Sequence, residues 1–105
     1  YDSGFEARYA QELDLRIKAH DIESYDKQVN IPLIVNDYIV CTYRIDFIIH
    51  HNDGTLEYCE TKGYQTDTWK LKWKLFESLY SEKPGVKLTI VQQGKYKPPK
   101  IRKIK

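Results

Sequence analysis

Residues 39–63, IVCTYRIDFIIHHNDGTLEYCETKG, decide the fold, because they hold two strand patterns joined by one strong turn signal. Asn52-Asp53-Gly54 is that turn, since an Asn-Asp-Gly run favours the left-handed backbone of a tight hairpin. β-branched and aromatic side chains are frequent on both sides of it. The sequence therefore predicts a β-hairpin with strands at residues 39–49 and 55–62.

The turn also predicts the register of the hairpin. With Gly54 in the left-handed position, His51 pairs with Thr55, and Asp46 then faces Glu60. Lys62 shares the face of Glu60 because strand side chains alternate. A shift of one residue would move Glu60 and Lys62 to the other face. In the predicted register, two carboxylates and one ammonium group converge at the open end of the hairpin.

Such a cluster has a chemical interpretation. Two close carboxylates repel each other unless a positive charge lies between them, and Mg²⁺ takes oxygen ligands while keeping several waters. A neighbouring lysine can polarise the attacking water or offset the charge that grows on a phosphate. Together these groups suit phosphodiester hydrolysis. Spacing alone leaves a second interpretation open, in which Asp46, Glu60 and Lys62 are solvated charges on an exposed strand face.

The flanking segments complete an α-β-β-β-α-β order. Residues 3–20 and 67–82 have helical apolar periodicity, and two more strands are expected at 31–36 and 86–92, the first ending in an Asn36-Asp37 turn. Glu6 has two candidate roles: a capping box with Ser3, or a place on the inward stripe of the first helix. The fold class is α/β in the broad sense, an α+β arrangement around a mixed sheet.

Composition limits the class of protein. A chain of 105 residues with 41% hydrophobic and 30% charged residues fits one globular domain, at residues 1–93, followed by a tail. No apolar run approaches a membrane span, so no membrane partner is expected. Two cysteines, Cys41 and Cys59, are too few for a disulfide scaffold, and we expect both to be reduced and buried.

The tail, residues 94–105, has the sequence GKYKPPKIRKIK, with six of the 17 Lys and Arg residues and no acid. It is either a handle for a polyanion or a solvated segment. On the second predicted helix, Lys70 and Lys74 share a face, where they could meet phosphates or only water. Trp69 and Trp73 are expected in the core. The candidate nucleic-acid-binding residues are Lys70, Lys74, Lys95, Lys97, Lys100, Arg102 and Lys103.

The order of these elements, with Asp46 on one strand and Glu60-Thr61-Lys62-Gly63 on the next, resembles the PD-(D/E)XK nuclease superfamily. A closer resemblance, over residues 1–92, is to a family of small uncharacterised phage proteins assigned to that superfamily. The blocks that carry it are YDSGFEARY (1–9), YRIDF (43–47), ETKG (60–63) and WKLKWKLF (69–76). The sequence departs from relatives at Ile45, where a proline is usual, at Thr61, where an aliphatic residue is usual, and in lacking a short basic leader.

This resemblance implies a restriction-endonuclease-like αβββαβ core and a metal-dependent endodeoxyribonuclease. Asp46 and Glu60 would hold Mg²⁺ or Mn²⁺ and Lys62 would be the catalytic lysine. Relatives similar to Holliday junction resolvases add a glutamate from the first helix, a place that Glu6 occupies. Gln28 matches a recurrent glutamine, which either touches the site or satisfies a buried backbone group; we favour the second.

The resemblance further implies branched DNA as the substrate, a homodimer as one arrangement, and a phage recombination or replication role in the cytoplasm of a bacterial host. Two alternatives remain open. One is a nucleic-acid-binding module that keeps the fold without catalysis, and the other is a mismatch or site-specific nickase.

Overall fold

The computed structural model of the chain describes residues 3–62 and 66–92, so the predicted tail lies outside the described residues. The elements confirm the predicted α-β-β-β-α-β order. They are α1 (Ser3–Lys18), β1 (Ser24–Val35), β2 (Tyr38–His50), β3 (Leu56–Lys62), α2 (Asp67–Tyr80) and β4 (Val86–Gln92). The result is an α+β fold compatible with the predicted αβββαβ core.

The four strands form one mixed sheet in the order β1-β2-β3-β4. The first three are antiparallel neighbours, whereas β3 and β4 are parallel and are connected through α2. One boundary was wrong: β1 begins at Ser24 and not at residue 31. The additional residues are mostly polar and exposed, because β1 is an edge strand, so they lack the β-branched pattern on which the prediction depended.

Both predicted turns are present. Gly54 has a φ of 89°, its N–H donates to the carbonyl of His51 at 3.0 Å, and the N–H of His51 donates to Thr55 at 2.9 Å. The ladder between β2 and β3 then runs from His50↔Leu56 to Phe47↔Cys59, which confirms the predicted register. Asn36-Asp37 forms the other turn, with φ of 51° and 68°, values that Asn and Asp tolerate better than most residues.

Each helix packs on its own face of the sheet. The aromatic stripe of α2, at Trp69, Trp73 and Phe76, is buried against one face. Leu13 of α1 is buried against the other face, together with Phe47, Ile49 and Cys59. Cys41 is only half-buried, which corrects the expectation for that residue, and both cysteines are free thiols. Among the described residues, no helix combines the length and apolarity needed to span a membrane.

The regular alternation of β2 fails at Asp46. Residues two apart in a strand share a face, yet Ile45 packs in the cluster under α2 and Phe47 packs in the cluster under α1. The partner strand is irregular at the same level: Lys27↔Phe47 and Val29↔Ile45 are paired, whereas the intervening Gln28 has a φ of 54° and no ladder partner. Asp46 therefore lies where the sheet ladder is interrupted.

The packing of α2 predicts the outcome of one pair of substitutions. Phe76 is fully buried among four aromatic rings, so Phe76→Ala should lower the free energy of unfolding by about 3–5 kcal/mol. Leu71 lies on the outer side of the same helix and is 71% exposed. Leu71→Ala is the matched control, with an expected change below about 0.5 kcal/mol by denaturant titration. Equal losses in the two variants would contradict this placement of α2.

Candidate active site

An open pocket lies at the end of the β2–β3 hairpin, beside the start of α2. It is lined by Asp46, Glu60 and Lys62, which the predicted register brings together. Further lining side chains come from β1, from β2 and from the start of α2. The charged and aromatic groups that matter for its chemistry are Arg44, Asp46, Glu60, Lys62, Trp69 and Lys72. Carboxylates and cations therefore meet in a single cavity.

The carboxylates of Asp46 and Glu60 accept hydrogen bonds from backbone N–H groups beyond the end of the ladder. The backbone pairing of β2 with β3 ends at Phe47↔Cys59. Beyond it, the N–H of Asp46 donates to Oε1 of Glu60 at 3.3 Å, and the N–H of Thr61 donates to Oδ2 of Asp46 at 2.9 Å. Each strand thus satisfies a backbone donor with a carboxylate of the other strand. The predicted opposition of Asp46 and Glu60 is realised through side chains.

The hydroxyl of Thr61 was not anticipated as part of the site. Thr61 is 2% exposed, and its Oγ1 donates to Oδ2 of Asp46 at 2.8 Å, beside the bond from its own N–H. An aliphatic side chain at this position would lack this donor. Both bonds fall on the same oxygen, and no residue in the described part of the chain donates to Oδ1 of Asp46. Asp46 is only 7% exposed, so within residues 3–62 and 66–92 its Oδ1 is an acceptor on a nearly buried side chain that receives no protein donor.

Glu60 is the more deeply buried carboxylate, at 2% exposure. Its Oε2 accepts the indole N–H of Trp69 at 2.9 Å and lies 3.5 Å from Nζ of Lys62. Burial, followed by the charge of Asp46, raises the pKa of Glu60 to about 7, although Lys62 and the Trp69 hydrogen bond act in the opposite direction. Near neutral pH this carboxyl is therefore divided between its two protonation states.

Trp69 is buried as expected, and it also orients polar groups of the pocket. Its indole N–H lies 3.1 Å from the hydroxyl of Tyr43 as well as against Glu60, and Nζ of Lys62 lies 5.0 Å from the centre of its ring. The N-cap of α2 fixes its backbone, because Oγ1 of Thr66 accepts the N–H of Trp69 at 3.1 Å. The helix cap thus helps to set the position of Glu60 and Lys62.

The donor set suits a hard divalent cation held by two carboxylates. Mg²⁺ is commonly bound by one or two carboxylates with water and substrate phosphates completing the shell, and Oδ1 of Asp46, which accepts no hydrogen bond from the described residues, could serve as a ligand atom for it. A larger ligand set is not assembled: within residues 3–62 and 66–92, no three His, Cys, Asp or Glu side chains group closely enough to hold a metal ion. The fit is to Asp46 and Glu60.

Glu6 stays apart from this pair. It is 6% exposed on α1, and its Oε2 accepts a hydrogen bond from Nε2 of Gln28 at 3.1 Å. Gln28 reaches the pocket, whereas Glu6 is not among the residues that line it. The role favoured for Gln28 was therefore wrong, since its amide joins the side chains of Glu6 and Arg44. The role of Glu6 as a third metal ligand stays a prediction.

Apart from Lys62, the basic residues of the pocket differ from those that the sequence singled out for nucleic-acid binding. Lys70 is half-buried and Lys74 is exposed, but neither lines the pocket. Lys72 does, and its Nζ donates to the carbonyl of Thr42 at 3.2 Å. Arg44 was missed, although its place two residues before Asp46 on β2 could have suggested that it lies near the site. The tail candidates Lys95, Lys97, Lys100, Arg102 and Lys103 lie outside the described residues.

Fold and pocket together define a small α+β domain with a buried carboxylate pair and an adjacent lysine. The chain belongs to the family described as "Protein of unknown function (DUF1064)", whose model matches residues 1–98. Comparison with the curated proteins and with the solved structures found no match.

The raised pKa of Glu60 predicts a pH dependence in metal-free protein. The folded state holds the Glu60 proton up to about pH 7, whereas the unfolded chain releases it near 4.5. This contribution to the free energy of unfolding is complete below pH 4.5 and is lost as pH rises to 7, by about 3 kcal/mol at most. Glu60→Gln should remove that decline in denaturation measured in EDTA.

The matched control is Glu57→Gln, on the opposite face of β3. Burial raises the pKa of Glu57, but hydrogen bonds from Thr89 and His51, together with the charges of Lys87 and His51, outweigh burial and leave the pKa below its usual value. Glu57 therefore contributes stability that is lost as pH falls, and its replacement should leave the decline between pH 4.5 and 7 in place. A Glu60→Gln profile parallel to that of the unsubstituted chain would contradict the prediction.

Thr61 permits a test of the contact with Asp46. Thr61→Val keeps the shape and the backbone N–H but removes the Oγ1 donor, so the free energy of unfolding should fall by about 1–2 kcal/mol. Replacement of Asp46 by Asn in the same background should make the Thr61→Val loss smaller, because the charged acceptor is gone. An unchanged denaturation midpoint in Thr61→Val would show that the hydroxyl contributes nothing.

Proposed function

We propose that this chain is a metal-dependent endodeoxyribonuclease that hydrolyses phosphodiester bonds with Mg²⁺ or Mn²⁺. The observation that carries the proposal is the carboxylate pair. Asp46 and Glu60 are nearly buried side by side, Oδ1 of Asp46 has no donor among the described residues, and Nζ of Lys62 lies 3.5 Å from Glu60.

Two adjacent buried carboxylates destabilise a fold, because each loses hydration and each repels the other. A divalent cation between them would relieve both penalties. When bound, it would supply charge to the oxygens of a phosphate and orient a water for attack. Asp46 and Glu60 would hold it, and Glu6 remains a candidate third ligand by resemblance alone.

In this proposal, Lys62 would act on the reaction itself. Its ammonium is held between the carboxylate of Glu60 and the ring of Trp69, so its direction is restricted. There it can donate a hydrogen bond to the attacking water and offset the charge that develops as the water oxygen bonds to phosphorus and the bridging P–O bond breaks. Thr61 and Trp69 would hold the two carboxylates in place during this step.

The nature of the DNA rests on resemblance and not on the pocket. Branched DNA, a homodimer, and a place in phage recombination or replication within a bacterial cell are proposals on that basis. A mismatch or site-specific nickase is the nearest enzymatic rival, and it would use the same residues.

A second candidate function has one observation in its favour. Glu6 does not join Asp46 and Glu60, so the described residues contain no three-carboxylate group of the kind that the resemblance implies. A protein that keeps this fold and binds nucleic acid without cutting it would need no such group. The intact set of Asp46, Glu60 and Lys62 favours the enzyme, because loss of function usually removes one of these residues.

Cleavage of supercoiled plasmid and of a four-way junction, with Mg²⁺, Mn²⁺ or EDTA, tests the proposal. We expect nicking that requires the metal, and a loss of about 100-fold or more in rate for Asp46→Asn, Glu60→Gln and Lys62→Met. Glu57→Gln is the matched control, since it alters a buried carboxylate of the same strand on the other face, and it should cut at the unsubstituted rate.

The same assay identifies the rival function. DNA binding that is independent of metal, with no cleavage by the unsubstituted chain on either substrate, would replace the enzyme with the binding module. Cleavage that survives in all three site variants would place the chemistry elsewhere in the protein.

A further inference from the structure

Gln28 has an unusual backbone for its position. Among the described strand residues outside turns it is the one non-glycine residue with a positive φ, at 54°. Residues other than Gly, Asn and Asp rarely adopt this conformation, because it costs conformational energy. Gln28 also has no partner in the ladder between β1 and β2. The conformation directs the amide of Gln28 toward the pocket, where it contacts two other side chains.

The chemistry of those contacts fixes the orientation of the amide. The carboxylate of Glu6 can only accept hydrogen bonds, so Nε2 of Gln28 must face it, at 3.1 Å. The guanidinium of Arg44 can only donate, so it faces Oε1. A glutamine is matched to this place because it offers one donor and one acceptor, whereas a glutamate would repel Glu6.

The result is an arginine that is held in place by a neutral amide. Arg44 is exposed at the pocket mouth, and among the residues that the structure describes no carboxylate lies within ion-pair distance of it. Gln28 stands between it and Glu6 as a neutral connector. Lys72, tied to the carbonyl of Thr42, lines the same pocket. The positive charge at the mouth is therefore available to an anion.

We propose that Arg44, held by Gln28, binds a phosphate of the substrate strand next to the phosphodiester that reaches Asp46 and Glu60, and that Gln28 is a positioning residue for Arg44. The proposal rests on the proposed function, because it names how the same site would hold a nucleic-acid backbone. A planar guanidinium with several N–H groups matches the geometry of phosphate oxygens.

Binding of a short DNA duplex in EDTA, measured across a series of salt concentrations, tests the role of Arg44 without any cleavage. Each phosphate contact contributes about one unit to the slope of log affinity against log salt. Arg44→Ala should weaken binding about 5- to 10-fold and reduce the slope by about one. Lys87→Ala, which removes an exposed charge from β4 at the opposite edge of the sheet, is the control and should leave the slope unchanged.

Gln28 needs a readout that separates positioning from folding. Gln28→Gly relieves the left-handed backbone, and this gain offsets part of the hydrogen bond that it removes from Glu6, so the variant should still unfold cooperatively in a thermal melt. Its affinity for the duplex should nevertheless fall about 2- to 5-fold. In an Arg44→Ala background the same substitution should have no further effect on affinity, because Gln28 then has no guanidinium to hold.

The outcomes are distinct. If Arg44→Ala keeps the full salt slope, or Gln28→Gly weakens binding equally with and without Arg44, the proposal is overturned while the proposed function stands. If the unsubstituted chain binds no duplex or junction DNA at low salt, with or without Mn²⁺, both fail together. Loss of plasmid cleavage in Asp46→Asn with the slope intact in that variant would support the two proposals as separate features of one pocket.

Discussion

Two backbone N–H groups, those of Asp46 and Thr61, are the constraint on which the open end of the hairpin depends. The sheet ladder between β2 and β3 ends one pair before them, so neither N–H donates across to a backbone carbonyl of the facing strand there. A buried donor without an acceptor costs about 1–3 kcal/mol. The carboxylates of Glu60 and Asp46 supply the acceptors. Strand cohesion and the candidate chemistry therefore use the same side chains.

This arrangement brings two carboxylates into mutual repulsion, which the remaining contacts reduce but do not remove. The carboxylates that satisfy backbone donors also repel one another in a place with little water, which is why burial and Asp46 raise the pKa of Glu60 to about 7. Lys62 and the indole of Trp69 act against that rise but do not cancel it. In the proposed function, a bound cation would relieve this repulsion, and such a cost in the metal-free fold is a common form of the trade between stability and activity.

The sequence predicted those parts of the fold that depend on local signals. The Asn52-Asp53-Gly54 turn fixed the register, and through the register the opposition of Asp46 and Glu60, because a tight turn permits few pairings. The burial of Trp69 followed from helical periodicity. These features are determined within a few residues, so composition and spacing are sufficient to find them.

The contacts that were missed depend on structure far along the chain. Thr61 donates to Asp46 only because the ladder between β2 and β3 has ended there. The residues next to Thr61 in the sequence give no signal for the position of that end. The bridge formed by Gln28 needs a left-handed backbone that glutamine does not favour, and partners on α1 and β2. Lys72 was passed over for Lys70 and Lys74, since a shared helix face says nothing about which face meets the pocket.

The irregularity at Gln28 and Asp46 has a cause in the unequal cover of the sheet. The buried side chains of β2 near the β3 end divide between the two helices, with Phe47 and Ile49 under α1. Farther toward the β1–β2 turn, Ile45 and Tyr43 both pack in the α2 cluster. Burying both sets requires the strand to change the face that its odd-numbered residues occupy. This change occurs at Asp46, where the ladder lacks the pair between Gln28 and Asp46. The side chains of both residues line the pocket. The demand for hydrophobic burial on two unequal faces thus produces the opening in which the carboxylates, the lysine and Gln28 meet.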